Sequence, residues 1–132
     1  MAFVHGRNTY ISLNSVVLST FVNSSNLDQE ADEHDVTCYG ASNYTYTGGL
    51  LKGACSISGV YDSGASGPRA TIEALIGTVT TLIRGPEGNA TGKPKETVQV
   101  HVKKYTETNP VADMVSWSCD LTLSGPITRA TW

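Results

Sequence analysis

Three histidines, three cysteines and one run of acids carry most of the chemical potential of this chain. His34 stands inside the segment Asp28 to Asp35, among Asp28, Glu30, Asp32, Glu33 and Asp35. Carboxylates and an imidazole at that density suit a divalent cation. The run lacks the glycine and the ligand spacing of a calcium loop, so a solvated acidic face is the better reading. In an extended chain, Asp28, Glu30 and Asp32 project together on one side. Like charges on one face repel, and an isolated monomer gains nothing from that arrangement. The stripe is therefore a candidate functional surface.

Other reactive groups point to no chemistry. Cys38, Cys55 and Cys119 are widely spaced and form no C-x-x-C pair, which removes zinc-ribbon and thioredoxin-type readings. They read as small buried hydrophobes in a reducing compartment. His5, His34 and His101 have no nucleophile motif beside them, and no G-x-S-x-G elbow is present. Gly92-Lys93 resembles part of a phosphate loop. The first glycine of that loop would fall on Glu87, and Pro94 stands where Ser or Thr is required. Asn23-Ser24-Ser25, Asn43-Tyr44-Thr45 and Asn89-Ala90-Thr91 match the glycosylation pattern, but no secretory signal precedes them and they read as chance. The expectation is no enzyme, no cofactor and no metal.

The aromatic residues suggest contact instead. Tyr39, Tyr44 and Tyr46 crowd one nearly uncharged stretch, followed by Leu50 and Leu51. Tyrosine on an uncharged surface loop offers apolar area and a hydroxyl to a partner. A loop packed on itself is the equal alternative.

Composition says what kind of scaffold must position these groups. The chain has 132 residues and a formal charge of −3. A general nucleic-acid binder needs a basic face, which this charge argues against. The length suits a single domain, 1–132, with one core. The 16 Thr and 13 Ser beside 13 Gly favour strands and turns over helices. No apolar run of about 18 residues is present, so no membrane-spanning helix is expected.

The pattern predicts an N-terminal arm over 1–8, then a strand in which Thr9, Ile11 and Leu13 alternate with Tyr10 and Ser12. Val16 to Val22 reads as a second extended segment, and Asn23 to Asn26 as a polar break. An extended loop is expected over 40–53, a strand over Gly53 to Asp62, and one helix over 68–77. Pro68 suits its first turn and Gly77 its end. Strands follow at Thr78 to Arg84 and Thr97 to Glu107, separated by a flexible loop over 85–96. Met114 to Leu123 has the clearest alternation, and a C-terminal tail covers 125–132. The expected core comprises Ile57, Ile72, Leu75, Val100, Val115, Trp117, Cys119 and Leu121.

The order of features is informative as a whole. Leu13-Asn14, Val17-Leu18-Ser19 and Phe21 precede the acidic segment, and Thr37, Gly40 and the aromatic loop follow it. Next come Gly49-Leu50, Ser56-Ile57-Ser58-Gly59 and the helix closing at Gly77. Gly85-Pro86-Glu87-Gly88 with Gly92, Pro110-Val111 and Val115-Ser116-Trp117 complete the series. Over nearly its whole length the chain resembles the small tail tube proteins of long-tailed, siphovirus-type bacteriophages.

That resemblance implies a mainly β fold, an antiparallel β-sandwich or partial barrel with one short flanking helix. It also implies a virion structural protein, made in the bacterial host cytoplasm. Six copies would form a ring by extending each other's sheets, and stacked rings would conduct DNA without binding it specifically. Partners would be other copies and further tail or capsid proteins, with no membrane. The chain is small for a major tube subunit, which leaves capsid decoration protein and tail terminator as alternatives. On this reading Asp28, Glu30 and Asp32 face the lumen, and Tyr39, Tyr44, Tyr46, Leu50 and Leu51 touch neighbouring copies or rings. The strands around Thr97 and Val115 are expected to be the sheet borders that join across subunits.

Overall fold

The computed structural model describes residues 3–132; the first two residues of the expected arm lie outside them. Eight strands occur in chain order: β1 (Tyr10–Leu13), β2 (Val16–Val17), β3 (Val22–Asp35), β4 (Tyr46–Val60), β5 (Val79–Gly85), β6 (Pro94–Thr108), β7 (Ser116–Leu123) and β8 (Thr128–Thr131). One helix, α1 (Pro68–Glu73), links β4 to β5. The strands form one antiparallel sheet in the order β2-β1-β5-β6-β7-β4-β3.

Local chemistry explains the connections. β1 and β2 form a hairpin over Asn14 and Ser15, whose φ angles of 51° and 67° are both positive. Two successive left-handed residues match the twist of the flanking strands. The helix is shorter than the expected 68–77. Leu75 N–H donates to Ile72 O and Thr78 N–H to Leu75 O, so tighter i→i+3 turns replace the α-helical ladder after Glu73. The segment is then tied to β6 by Gly77 N–H donating to Val102 O and Val102 N–H to Thr78 O.

The longest strands carry the largest departures from expectation. Asn23 to Asn26 is not a break but the start of β3, because each of these polar residues faces outward or lies at the rim while β4 supplies the ladder. The 40–53 loop is a strand from Tyr46 onward, paired with Asp35 back to Gln29. Within 85–96, Pro94 to Glu96 pair with β8, and Trp132 exchanges backbone bonds with Gly92 and Lys93. The tail over 125–132 is thereby partly sheet. β8 continues the line of β7 along one side of β6: Leu123 pairs with Val100, and Thr128 with Thr97. β6 and β7 are therefore interior strands. The sheet borders are β2-β1 at one end and β3 at the other, which corrects the assignment of the Thr97 and Val115 strands as borders.

One core lies inside the curved sheet. Alternation places Cys55 and Ile57, Val98, Val100 and Val102, and Trp117, Cys119 and Leu121 on the same concave face. Ile11, Leu13, Leu18, Leu82 and Ile72 complete it. Trp117 donates through Nε1 to Val60 O at 3.1 Å and stacks on Tyr105, whose ring centroid is 6.1 Å away. Leu75 and Val115 lie at the rim, half-buried, because the first follows the last full helical turn and the second precedes β7. Of the three thiols, Cys55 and Cys119 are buried, but Cys38 is exposed beyond the end of β3, where there is no core to bury it.

Candidate assembly surfaces

The acidic stripe sits on the border strand. β3 pairs only with β4, so the backbone groups along its other side have no strand partner among the described residues. Asp28, Glu30 and Asp32 lie on its outer face. Glu30 is directly opposite Lys52 in the ladder, and Lys52 Nζ reaches Glu30 Oε1 at 3.6 Å and Asp32 Oδ1 at 3.0 Å. The carboxylate of Asp32, then that of Glu30, raises the Lys52 pKa above its ordinary value. One ammonium thus offsets part of the repulsion among the three acids. Lys52 was missed in the sequence because the loop expected over 40–53 gave it no register against β3.

The stripe continues a polar face that crosses the sheet. The ladders align Asp28 with Ala54, Thr122 and His101, and Asn26 with Ser56, Asp120 and Lys104. These side chains are small or charged, and they point away from the core. His34 does not join the acids in a metal centre; among the described residues no cluster of three or more potential ligands forms. The buried thiols are poor nucleophiles. Burial pushes Cys55 up to about 11 and Cys119 up to about 12, so both stay protonated at neutral pH.

The β3-β4 hairpin runs past the core into solvent. Its tip is shaped by Asp35 Oδ1 accepting from Thr37 N–H at 2.9 Å; the Thr37 side chain, then this backbone N–H, lowers the Asp35 pKa. Thr37 Oγ1 accepts from Thr45 N–H at 2.7 Å and closes the loop. Tyr44 and Tyr46 tilt against each other at 6.5 Å, and Tyr39 stands fully in solvent. Leu50 and Leu51 are 82% and 70% exposed although both lie within β4. A strand normally buries one of two adjacent leucines, so both being open marks a surface that a lone chain leaves uncovered.

A third feature lies where the sheet fails to close. The short turn Ser19–Phe21 crosses between β1 and β3, with Ser19 Oγ accepting from Ile11 N–H at 2.9 Å. Gly59 permits this approach, since a Cβ there would lie 1.7 Å from Phe21 O. The seam remains open as a cleft of about 640 Å³ bordered by Arg7, Ser24 and Arg84.

Comparison of the whole architecture with solved structures gives clear likenesses. A chain from the virion of a native gene transfer agent particle superposes with a TM-score of 0.80 at 12% identity. The match covers 98% of this chain and 100% of that one. The SPP1 tail tube subunit gives 0.79 at 11% identity, covering 98% of this chain and 80% of its own. This chain has the tail-tube fold. The sheath-tube complex of an extracellular contractile injection system contains a chain matching at 0.68 and 10% identity, over 98% of this chain and 93% of that one. No protein-family profile matches the sequence, and no curated protein matches it. The matched particle chains are covered over their full length and so are close to this chain in size, whereas the SPP1 chain is longer.

Proposed function

We propose that the protein is a phage tail tube subunit, which works by assembling into stacked rings and not by catalysis. The observation that carries this reading is the fourteen-residue β3, a long border strand left unpaired beside an exposed apolar hairpin. Stable monomers blunt such borders with proline, bulges or short length. β3 contains no proline, and between its register shifts at Val22/Ser24 and Ala31/Glu33 the run from Ser24 to Ala31 stays regular and open to pairing. Pairing it with a neighbouring copy satisfies its free N–H and C=O groups and removes apolar hairpin surface from water. The tail-tube fold supports the same reading, and a related particle tail was reconstructed with sixfold symmetry.

On this reading the polar outer face lines the channel. Asp28, Glu30 and Asp32 repel phosphates, while Lys52 and Lys104 on the same face stand beside Glu30 and Asp120 and are offset by them. The hairpin bearing Tyr39, Tyr44, Tyr46, Leu50 and Leu51 contacts adjacent copies. The working form is then part of a virion, and DNA passes through without specific contacts.

Electron microscopy of the purified protein at rising concentration tests the proposal. Rings and stacked tubes are the expected result. Protein that stays dispersed alone but coats the outside of capsids would instead assign it as a decoration protein.

A further inference from the structure

The open seam between β1 and β3 carries two guanidinium groups, Arg7 and Arg84. No carboxylate borders it among the described residues, while Arg7, Arg84, Ser19 and Ser24 do. Arg84 spends Nη1 on Glu96 Oε1 at 2.9 Å, and its buried Nε has no partner. Arg7 has no ion-pair partner among the described residues. Ile11, Val22 and Pro86 add apolar wall. Such a cleft fits a partner segment that carries carboxylates and some apolar surface.

The chain itself displays such a segment. Lys52 serves Glu30 and Asp32, but Glu33 and Asp35 have no cationic partner among the described residues. The side chains of Asp32 and His34 lie together over Gly49, so strand alternation sends Glu33 and Asp35 to the opposite face of the hairpin. Half-exposed Tyr46 stands opposite Asp35 in the ladder and shares its face.

The two surfaces cannot meet within one molecule. Ser24 at the cleft and Glu33 on the hairpin belong to the same continuous strand. At about 3.3 Å per residue they are roughly 30 Å apart, and an extended strand cannot fold back on itself. We propose that the face of one copy that carries Glu33, Asp35 and Tyr46 docks in the Arg7–Arg84 seam of the next. Such a contact joins two different surfaces, so it propagates head to tail and closes into a ring when the rotation permits. A nucleic-acid phosphate is the weaker occupant. Phosphate binding draws on rows of free cations, whereas here one of two guanidinium groups is already engaged and the chain is net negative.

The proposal rests on the self-assembly reading, and a charge swap separates the two. Arg7→Glu and the pair Glu33→Arg with Asp35→Arg are each expected to raise the concentration needed for assembly about tenfold or more. All three positions are exposed, so unfolding temperatures should be unchanged; Arg7→Gln, expected to weaken assembly less, covers the case in which reversal disturbs folding. The combined swap restores assembly to within about threefold of wild type. Single variants that assemble like wild type, or a swap that fails to rescue, overturn the docking while leaving the assembly reading intact. A wild-type protein that stays monomeric at every concentration overturns both. Arg7-dependent binding of a labelled DNA duplex at low salt would reassign the seam to phosphate.

Discussion

Replacing Leu50 and Leu51 by serine separates the stability of the subunit from the stability of the assembly. Full burial of a leucine side chain contributes about 1.5–3 kcal/mol. In the single chain these residues are 82% and 70% exposed, so less than a third of that value is realised at either position. The double variant should lose at most about 1.5 kcal/mol of folding stability, a fall of several degrees in Tm. If neighbouring copies cover both side chains, the same change removes about 3 kcal/mol from each contact, which is roughly a hundredfold in affinity. Leu121→Ala is the opposite control. Leu121 is 1% exposed in the core, and its truncation should cost about 2–5 kcal/mol of folding stability. Thermal unfolding and sedimentation of the two variants against wild type give both quantities. Tubes of the double-serine variant forming at the wild-type concentration would refute the reasoning, because the hairpin leucines would then be open in the assembly as well.

Four further outcomes follow from the geometry. Converting Asp28, Glu30 and Asp32 to their amides should leave the unfolding temperature nearly unchanged and slow DNA ejection, since Lys52 then faces the channel uncompensated; ejection at the normal rate would remove the channel assignment. A thiol-titrating reagent should consume one cysteine, Cys38, in the native protein and three after unfolding. The native pKa values of Cys55 and Cys119 lie above the unfolded value of 9.0, so unfolding releases protons above that pH, and stability should fall between about pH 9 and 12 in a denaturant series. Gly59→Ala should cost about 2–3 kcal/mol by calorimetry, because the new methyl meets Phe21 backbone and not a movable side chain.

Much of the fold is written in the alternation of single strands. Val98, Val100 and Val102, like Trp117, Cys119 and Leu121, announce their buried face through period two, and Pro68 with Gly77 brackets the helical segment. What period two cannot encode is which strand lies beside which. β6 and β7 look like long regular strands in either a border or an interior position, and only pairing with β5, β4 and β8 places them inside. The far half of the β3-β4 hairpin was hidden for a different reason. Its inward-parity residues, such as Gln29, Ala31 and Leu51, have no core beneath them, so no hydrophobic alternation marks the strand. The position of the acidic stripe was legible, but its counter-charge was not, because Lys52 meets Glu30 only through the hairpin register.

In the assembled form β3 is expected to find its missing partner strand on another copy. A cryo-electron microscopy reconstruction of the assembled protein tests it directly. Sixfold rings are expected in which the free side of Val22–Asp35 is hydrogen-bonded to a neighbouring subunit and the Asp28–Glu30–Asp32 face looks into the channel. A tube in which that side of β3 faces solvent, with subunits joined only through loops, would contradict it.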